Sequence, residues 1–205
     1  MKELSKDSTI AIIGKQMVSH LLLGLLWLAA SLPVVTFGAA TTAMFFTAEA
    51  CIHKGEGKLW EVFWKSFRKE FKQATLLSLI AAVMAAGLVL DGYILSVMDL
   101  ADWVAALLLI YFVVAFGWLQ LWFGYLSKFN NKLSQLLYNT FGMFFGSFFW
   151  SMLLAIIAGA AILGVYACVK AGSLLVLLIP GVYGMLASLV LRKLFQKYIQ
   201  QSAAE

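Results

Sequence analysis

The sequence predicts an all-α fold: a polytopic transmembrane bundle of about six membrane segments, with one amphipathic helix at the membrane surface. Three observations carry that reading. Of 205 residues, 63% are hydrophobic and 12% charged, whereas soluble domains are roughly 45–50% apolar and about 25% charged. A soluble fold of this size could not hide so much apolar surface; a bilayer can, because its interior is itself apolar. Second, residues 16–48, 74–90, 103–127, 133–169 and 171–191 contain no Asp, Glu, Lys or Arg, and a spanning helix needs about 20 mainly apolar residues. Third, the basic residues gather between these runs in a pattern that orients the chain.

The first run is too long for one crossing and is interrupted by Pro33 and Gly38. Proline lacks an N–H and disfavours helix at the residue before it. The run therefore divides into a segment over 17–32, a turn over 32–38, and a second segment over 39–52. The second is short for a crossing, so it is expected to tilt, to re-enter, or to be sheltered by neighbours. Pro33, Thr36, Gly38, Thr41 and Thr42 form the candidate structural turn, in which the threonine hydroxyls can bond backbone groups freed by the break. A plain helical hairpin is favoured over a broken helix lining a solute path. Lys2, Lys6 and Lys15 before an apolar run resemble a signal peptide, but the apolar stretch continues to Ala48, and the segment is expected to be retained.

Between Lys58 and Gln73, Trp60, Phe63, Trp64, Phe67 and Phe71 recur at helical spacing, while Glu61, Lys65, Arg68, Lys69 and Lys72 mostly take the other face. This pattern predicts an aromatic, basic amphipathic helix over 58–73. Its expected place is the inner headgroup layer, with membrane lipid as its partner. The alternative is a docking surface made of Trp60, Phe63, Trp64, Phe67, Arg68, Phe71 and Lys72. The remaining crossings are expected over 74–98, 102–126, 140–166 and 173–191. Asp91 and Gln120 are the candidate intramembrane polar residues. Asp91 is read as interfacial or cavity-facing rather than as an ion site, and Gln120 as a bond between helices. Gly142 and Gly146 make a GxxxG pattern, the candidate for close helix packing. Glu49 is expected to pair with a nearby lysine, and His20 to be a packing residue.

With six segments and both termini in the cytoplasm, 14 of the 15 basic residues share the inner side and only Lys170 lies outside. A single first crossing would leave 11 inside and four outside. The positive-inside rule prefers the six-segment map. The net charge of +5 then marks cytoplasmic loops facing anionic headgroups, and nucleic acid is not an expected partner. Asp99 and Asp102 fall in an outer turn. Cys51 and Cys168 fall on opposite faces and are not expected to pair. Cys51 and His53 are too sparse for a zinc site, and no phosphate loop, HExxH or nucleophile elbow is present. No catalytic, metal or cofactor residues are expected.

Leu25-Leu26-Trp27 followed by Leu32-Pro33-Val34-Val35-Thr36-Phe37-Gly38-Ala39-Ala40-Thr41-Thr42-Ala43 resembles the YesL family of bacterial membrane proteins. Phe63-Trp64-Lys65-Ser66-Phe67-Arg68-Lys69-Glu70-Phe71-Lys72-Gln73 is similar to a second stretch of that family. Lys128-Phe129-Asn130-Asn131 with Asn139-Thr140 is a third. Gly24 and Glu70 stand where the family often has Asn. The resemblance implies a bacterial plasma membrane, an uncharacterised function and an association with carbohydrate uptake, which would make a carbohydrate ABC transporter a candidate partner. The expected function is that of a non-enzymatic accessory or regulatory protein; the alternative is a small-solute transporter or channel subunit.

Overall fold

The computed structural model describes residues 6–97, 102–129 and 131–202. Lys2, Asp99 and Asn130, named above, lie outside them. Most of the described residues are helical, and none of them lies in a strand. The helices are α1 (Lys6–Ser31), α2 (Phe37–Thr47), α3 (Leu59–Val97), α4 (Asp102–Leu126), α5 (Leu133–Gly146), α6 (Phe148–Lys170) and α7 (Ile179–Ser202). A 3-10 turn over Val34–Thr36 precedes α2, a π-helical turn over Ala48–His53 extends it, and a second 3-10 turn over Leu174–Leu177 leads into α7.

Four helical stretches are long and apolar enough to cross a membrane: Leu59–Asp91, Ala106–Leu126, Phe148–Lys170 and Leu174–Tyr198. The apolar part of α1, Gln16–Ser31, is shorter, and α2 has 11 residues. The first two segments expected from sequence thus form a hairpin whose apolar arms, Gln16–Ser31 and Phe37–Thr47, are shorter than the other four stretches.

The short helix α2 is the centre of the bundle. Gly38 through Phe45 and Thr47 are all buried, because α2 is apolar all round and needs cover on every side. Its most extensive packing is against α3, with α1, α4 and α7 completing the sheath. Around it, α4, α6, α7 and α1 pack in that order, each on the next.

Three elements differ from the sequence expectation. The amphipathic stretch 58–73 is not a separate helix at the surface. It runs unbroken into the third segment, giving a rod of 39 residues, about 58 Å at 1.5 Å per residue. A hydrocarbon core is about 30 Å thick, so one half of α3 must project beyond it unless the rod tilts steeply. The expected segment 140–166 is broken at Ser147, whose backbone (φ −135°, ψ 43°) leaves the helical region and divides α5 from α6. Finally, α7 continues to Ser202, well past the expected end at 191.

The close helix contacts are made by glycines other than the expected pair. A Cβ on Gly181 would run into the His20 carbonyl, and one on Gly24 would stand 2.5 Å from the Leu177 carbonyl oxygen; these two glycines bring α1 against α7. Gly142 is exposed with open space around it, and Gly146 receives the Tyr198 hydroxyl rather than a helix backbone. Adding a methyl group at Gly181 should therefore destabilise the fold by about 1–3 kcal/mol, whereas Gly142→Ala should stay within about 0.5 kcal/mol. Thermal unfolding of both variants in mild detergent checks the pair, and an unchanged midpoint for Gly181→Ala would contradict the α1–α7 contact.

Candidate functional site

The turn after α1 is held by its own side chains. The Thr36 hydroxyl reaches the carbonyls of Ala30 (2.6 Å) and Pro33 (2.7 Å), and the Thr36 N–H donates to Pro33 at 2.9 Å. The Trp27 indole donates to Thr41 Oγ1 at 3.1 Å, and that hydroxyl donates to Phe37 O at 2.8 Å. Thr36 and Thr41 thus satisfy backbone groups as the sequence suggested. Thr42 does not: its hydroxyl is buried with no hydrogen-bond partner among the described residues.

The start of α2 is secured from α3. The Gly38 N–H, a helix-start donor with no partner in its own helix, donates to Ser78 Oγ at 2.8 Å, and Ser78 donates to Ala74 O at 2.9 Å. A Cβ on Gly38 would run into that same Ser78 oxygen, so glycine is required here for close approach. Ser78 carried no signal in the sequence, because its role depends on a residue 40 positions away.

At the hairpin tip lies a cavity of about 710 Å³ between α3, α4, α6 and α7. Ala81, Ala82 and Ala85 form one wall and Ala158 and Ala161 another, with Trp27 and Phe37 at the tip. Its polar edge is Gln120, whose Oε1 accepts a hydrogen bond from the Tyr183 hydroxyl at 2.8 Å. Gln120 therefore bonds between helices as expected, and it faces a cavity as well. Asp91 lies beyond this cavity on α3, half-buried, and does not line it.

Most charged side chains gather at the end of the bundle where α2 finishes. Lys128 Nζ meets both carboxylate oxygens of Glu49, at 3.0 and 2.9 Å, in a pair only 15–17% exposed. This bond ties the π-helical turn after α2 to the segment after α4. Nearby, the side-chain amides of Asn131 and Asn139 both donate to the Tyr125 hydroxyl, at 2.6 and 2.8 Å, and Gln73 donates to the Asn131 carbonyl at 2.8 Å. His53 Nε2 lies 2.8 Å from Ser188 Oγ on α7. Lys128 and Lys193 sit over the rings of Phe195 and Trp150, and Lys197 donates to the Gly146 carbonyl.

The aromatic face of α3 divides. Phe63 is fully buried, and Trp64 and Phe67 pack against the core, with ring contacts linking all three. These rings are turned toward the bundle interior. Trp60 and Phe71 remain exposed, at 62% and 38%. On the outward side, Lys65, Arg68 and Lys72 are exposed at helical i, i+3, i+7 spacing and have no ion pair or hydrogen bond among the described residues. Lys69, by contrast, pairs with the buried Glu70 at 2.8 Å. Among the described residues no three His, Cys, Asp or Glu side chains gather as a metal site.

The Glu49–Lys128 pair and His53 each give a prediction. Removing one member of the Glu49–Lys128 pair leaves the other poorly solvated, so Lys128→Met should destabilise by about 2 kcal/mol, and adding Glu49→Gln should recover part of that loss; a double-mutant cycle in detergent measures the coupling. Burial, the largest influence on His53, holds its ring below the ordinary value of 6.5. Between 6.5 and that lower value the unfolded chain takes a proton that the folded chain refuses, so stability falls as pH drops through this window. Unfolding midpoints at pH 7.5 and 5.5 should converge more closely in His53→Gln than in the parent protein.

Among curated proteins and among solved structures, nothing matches this chain. Residues 21–92, about a third of the chain and the stretch that holds the hairpin and α3 as far as Gly92, match the family model described as "Protein of unknown function, DUF624".

Proposed function

We propose that this chain is a non-enzymatic accessory or regulatory protein of a bacterial plasma membrane, with both termini in the cytoplasm, that meets an acidic surface of a membrane partner through α3. The observation that carries the reading is the stripe of Lys65, Arg68 and Lys72, flanked by exposed Trp60 and Phe71. Three cations with no ion pair among the described residues, set along about two helical turns, make a local positive field, while other lysines are engaged by the bundle's own carboxylates, carbonyls and rings. The stripe rests on a helix that continues without a break into a membrane-spanning stretch, so a partner bound there would be held at a fixed distance from the membrane. A place beside a carbohydrate ABC transporter is the finer form of the proposal, and it rests on the family resemblance alone.

A small-solute transporter or channel subunit is the second reading, favoured by the cavity beside the Pro33 break. Its lining contains no charged side chain, which suits an apolar occupant better than a sugar or an ion.

Reversing the charge of the stripe with Lys65→Glu, Arg68→Glu and Lys72→Glu should abolish co-purification of the partner from mild detergent while leaving the unfolding midpoint close to that of the parent. A partner retained at full level would overturn the assignment of this surface. The native cysteines report orientation independently. On intact cells an impermeant maleimide should label Cys168, near the outer end of α6, and should reach Cys51 only after permeabilisation. Labelling of Cys51 from outside would invert the topology.

A further inference from the structure

We propose that the cavity at the hairpin tip binds one acyl chain of a membrane lipid, with the Gln120 amide donating a hydrogen bond to the ester carbonyl of that lipid. This inference is independent of the partner surface proposed above.

The cavity exists because the hairpin stops short. The tip rests beside Ser78, midway along α3, while α3, α4 and α6 continue past it. Beyond the tip the walls are alanines, Ala81, Ala82 and Ala85 on α3 and Ala158 and Ala161 on α6, and none of these side chains reaches across the gap. The volume of about 710 Å³ falls within the roughly 300–1,000 Å³ of typical ligand pockets. An apolar void of that size forfeits dispersion contacts on every wall, and an apolar cavity offers water no partners. The fluid that surrounds spanning helices is hydrocarbon. Ala82, Ala85 and Ile162 line the cavity and are themselves exposed, so a chain can enter from the apolar flank of the bundle.

The polar groups select which part of the lipid enters. The lining holds no Asp, Glu, Lys, Arg or His, so a charged headgroup finds no counter-charge, and the chain rather than the head must fill the space. The polar groups at the edge are largely committed: Ser78 serves the Gly38 N–H and the Ala74 carbonyl, and the Tyr183 hydroxyl donates to Gln120 Oε1. The NH₂ group of Gln120 makes no hydrogen bond among the described residues. It is a donor at the rim of an apolar pocket, matched by the acceptor at which a lipid's polar region begins.

Native mass spectrometry of the full chain in mild detergent, titrated with palmitoyl-oleoyl phosphatidylglycerol, tests this. One tightly retained lipid per chain is expected. Ala161→Phe, which fills the cavity, should weaken retention about tenfold, equivalent to 1.4 kcal/mol, with an unfolding midpoint showing that the variant remains folded. If that variant does not fold, Ala82→Leu at the exposed mouth provides the same reading. Gln120→Leu should weaken the ester lipid but not its ether-linked analogue, which lacks the carbonyl. Unchanged retention in the cavity-filling variants would assign the lipid to the outer surface and overturn the site. Displacement of the lipid by glycerol phosphate would show that the head binds instead. Equal loss of ester and ether lipids in Gln120→Leu would remove Gln120 from the role given to it.

Discussion

The architecture depends on one constraint: a short helix begins inside an apolar bundle, and its first N–H groups must find acceptors there. Gly38 meets it by donating to Ser78 on α3. An unpaired backbone donor in such surroundings costs several kcal/mol, so the start of α2 is fixed to one position along α3. That contact requires a residue without a side chain at 38 and a small hydroxyl at 78. Once the tip is pinned there, α2 runs inward beside the first half of α3, and Phe63, Trp64 and Phe67 turn toward the core.

The same pin gives the bundle two unlike halves. On one side of the tip, four helices enclose α2, and aromatic rings, the Glu49–Lys128 pair and the Tyr125 amide cluster fill the space. On the other side, α3 and α4 present exposed apolar side chains such as Val83, Val89, Tyr93, Leu107 and Ile110. The dense half provides a unique geometry, since buried polar pairs accept few alternative arrangements. The open half provides volume and apolar access. A cavity is then a consequence of the hairpin's length, and its alanine walls keep it from closing by side-chain collapse.

Much of this was legible in the sequence, and the failures share a cause. The hairpin could be read because Pro33 and Gly38 act locally on their own backbone, and the bonds of Thr36 and Thr41 span only a few residues. The amphipathic face of 58–73 was read correctly as a face, but periodicity does not say what a face meets. Its rings meet the core of the bundle, which is assembled from helices distant in sequence. Ser78, Gly24 and Gly181 were missed because their roles come from contacts across 40 to 160 positions, with no spacing to mark them. The GxxxG pair divides: Gly146 lies against Tyr198 of α7, while Gly142 has no such neighbour among the described residues. Gly142 has the right spacing and open space in front of it, and small residues permit close packing without causing it.

The orientation expected from charge does not depend on whether the hairpin crosses fully. Two full crossings return the chain to the side it left, and so does a hairpin that enters and leaves by one face. Four crossings plus a re-entrant hairpin would put both termini on one side, as six crossings would, and would leave the expected division of basic residues unchanged. What the shorter hairpin changes is depth. The tip stops partway along α3, and the sequence between Leu32 and Gly38 is shaped for that position: Leu32 is 83% exposed, suited to contact with lipid, while the Thr36 hydroxyl and the Gly38 N–H satisfy the broken backbone from within. A turn placed in a watery loop would need neither the buried threonine nor the serine on a neighbouring helix, because water would supply both acceptor and donor.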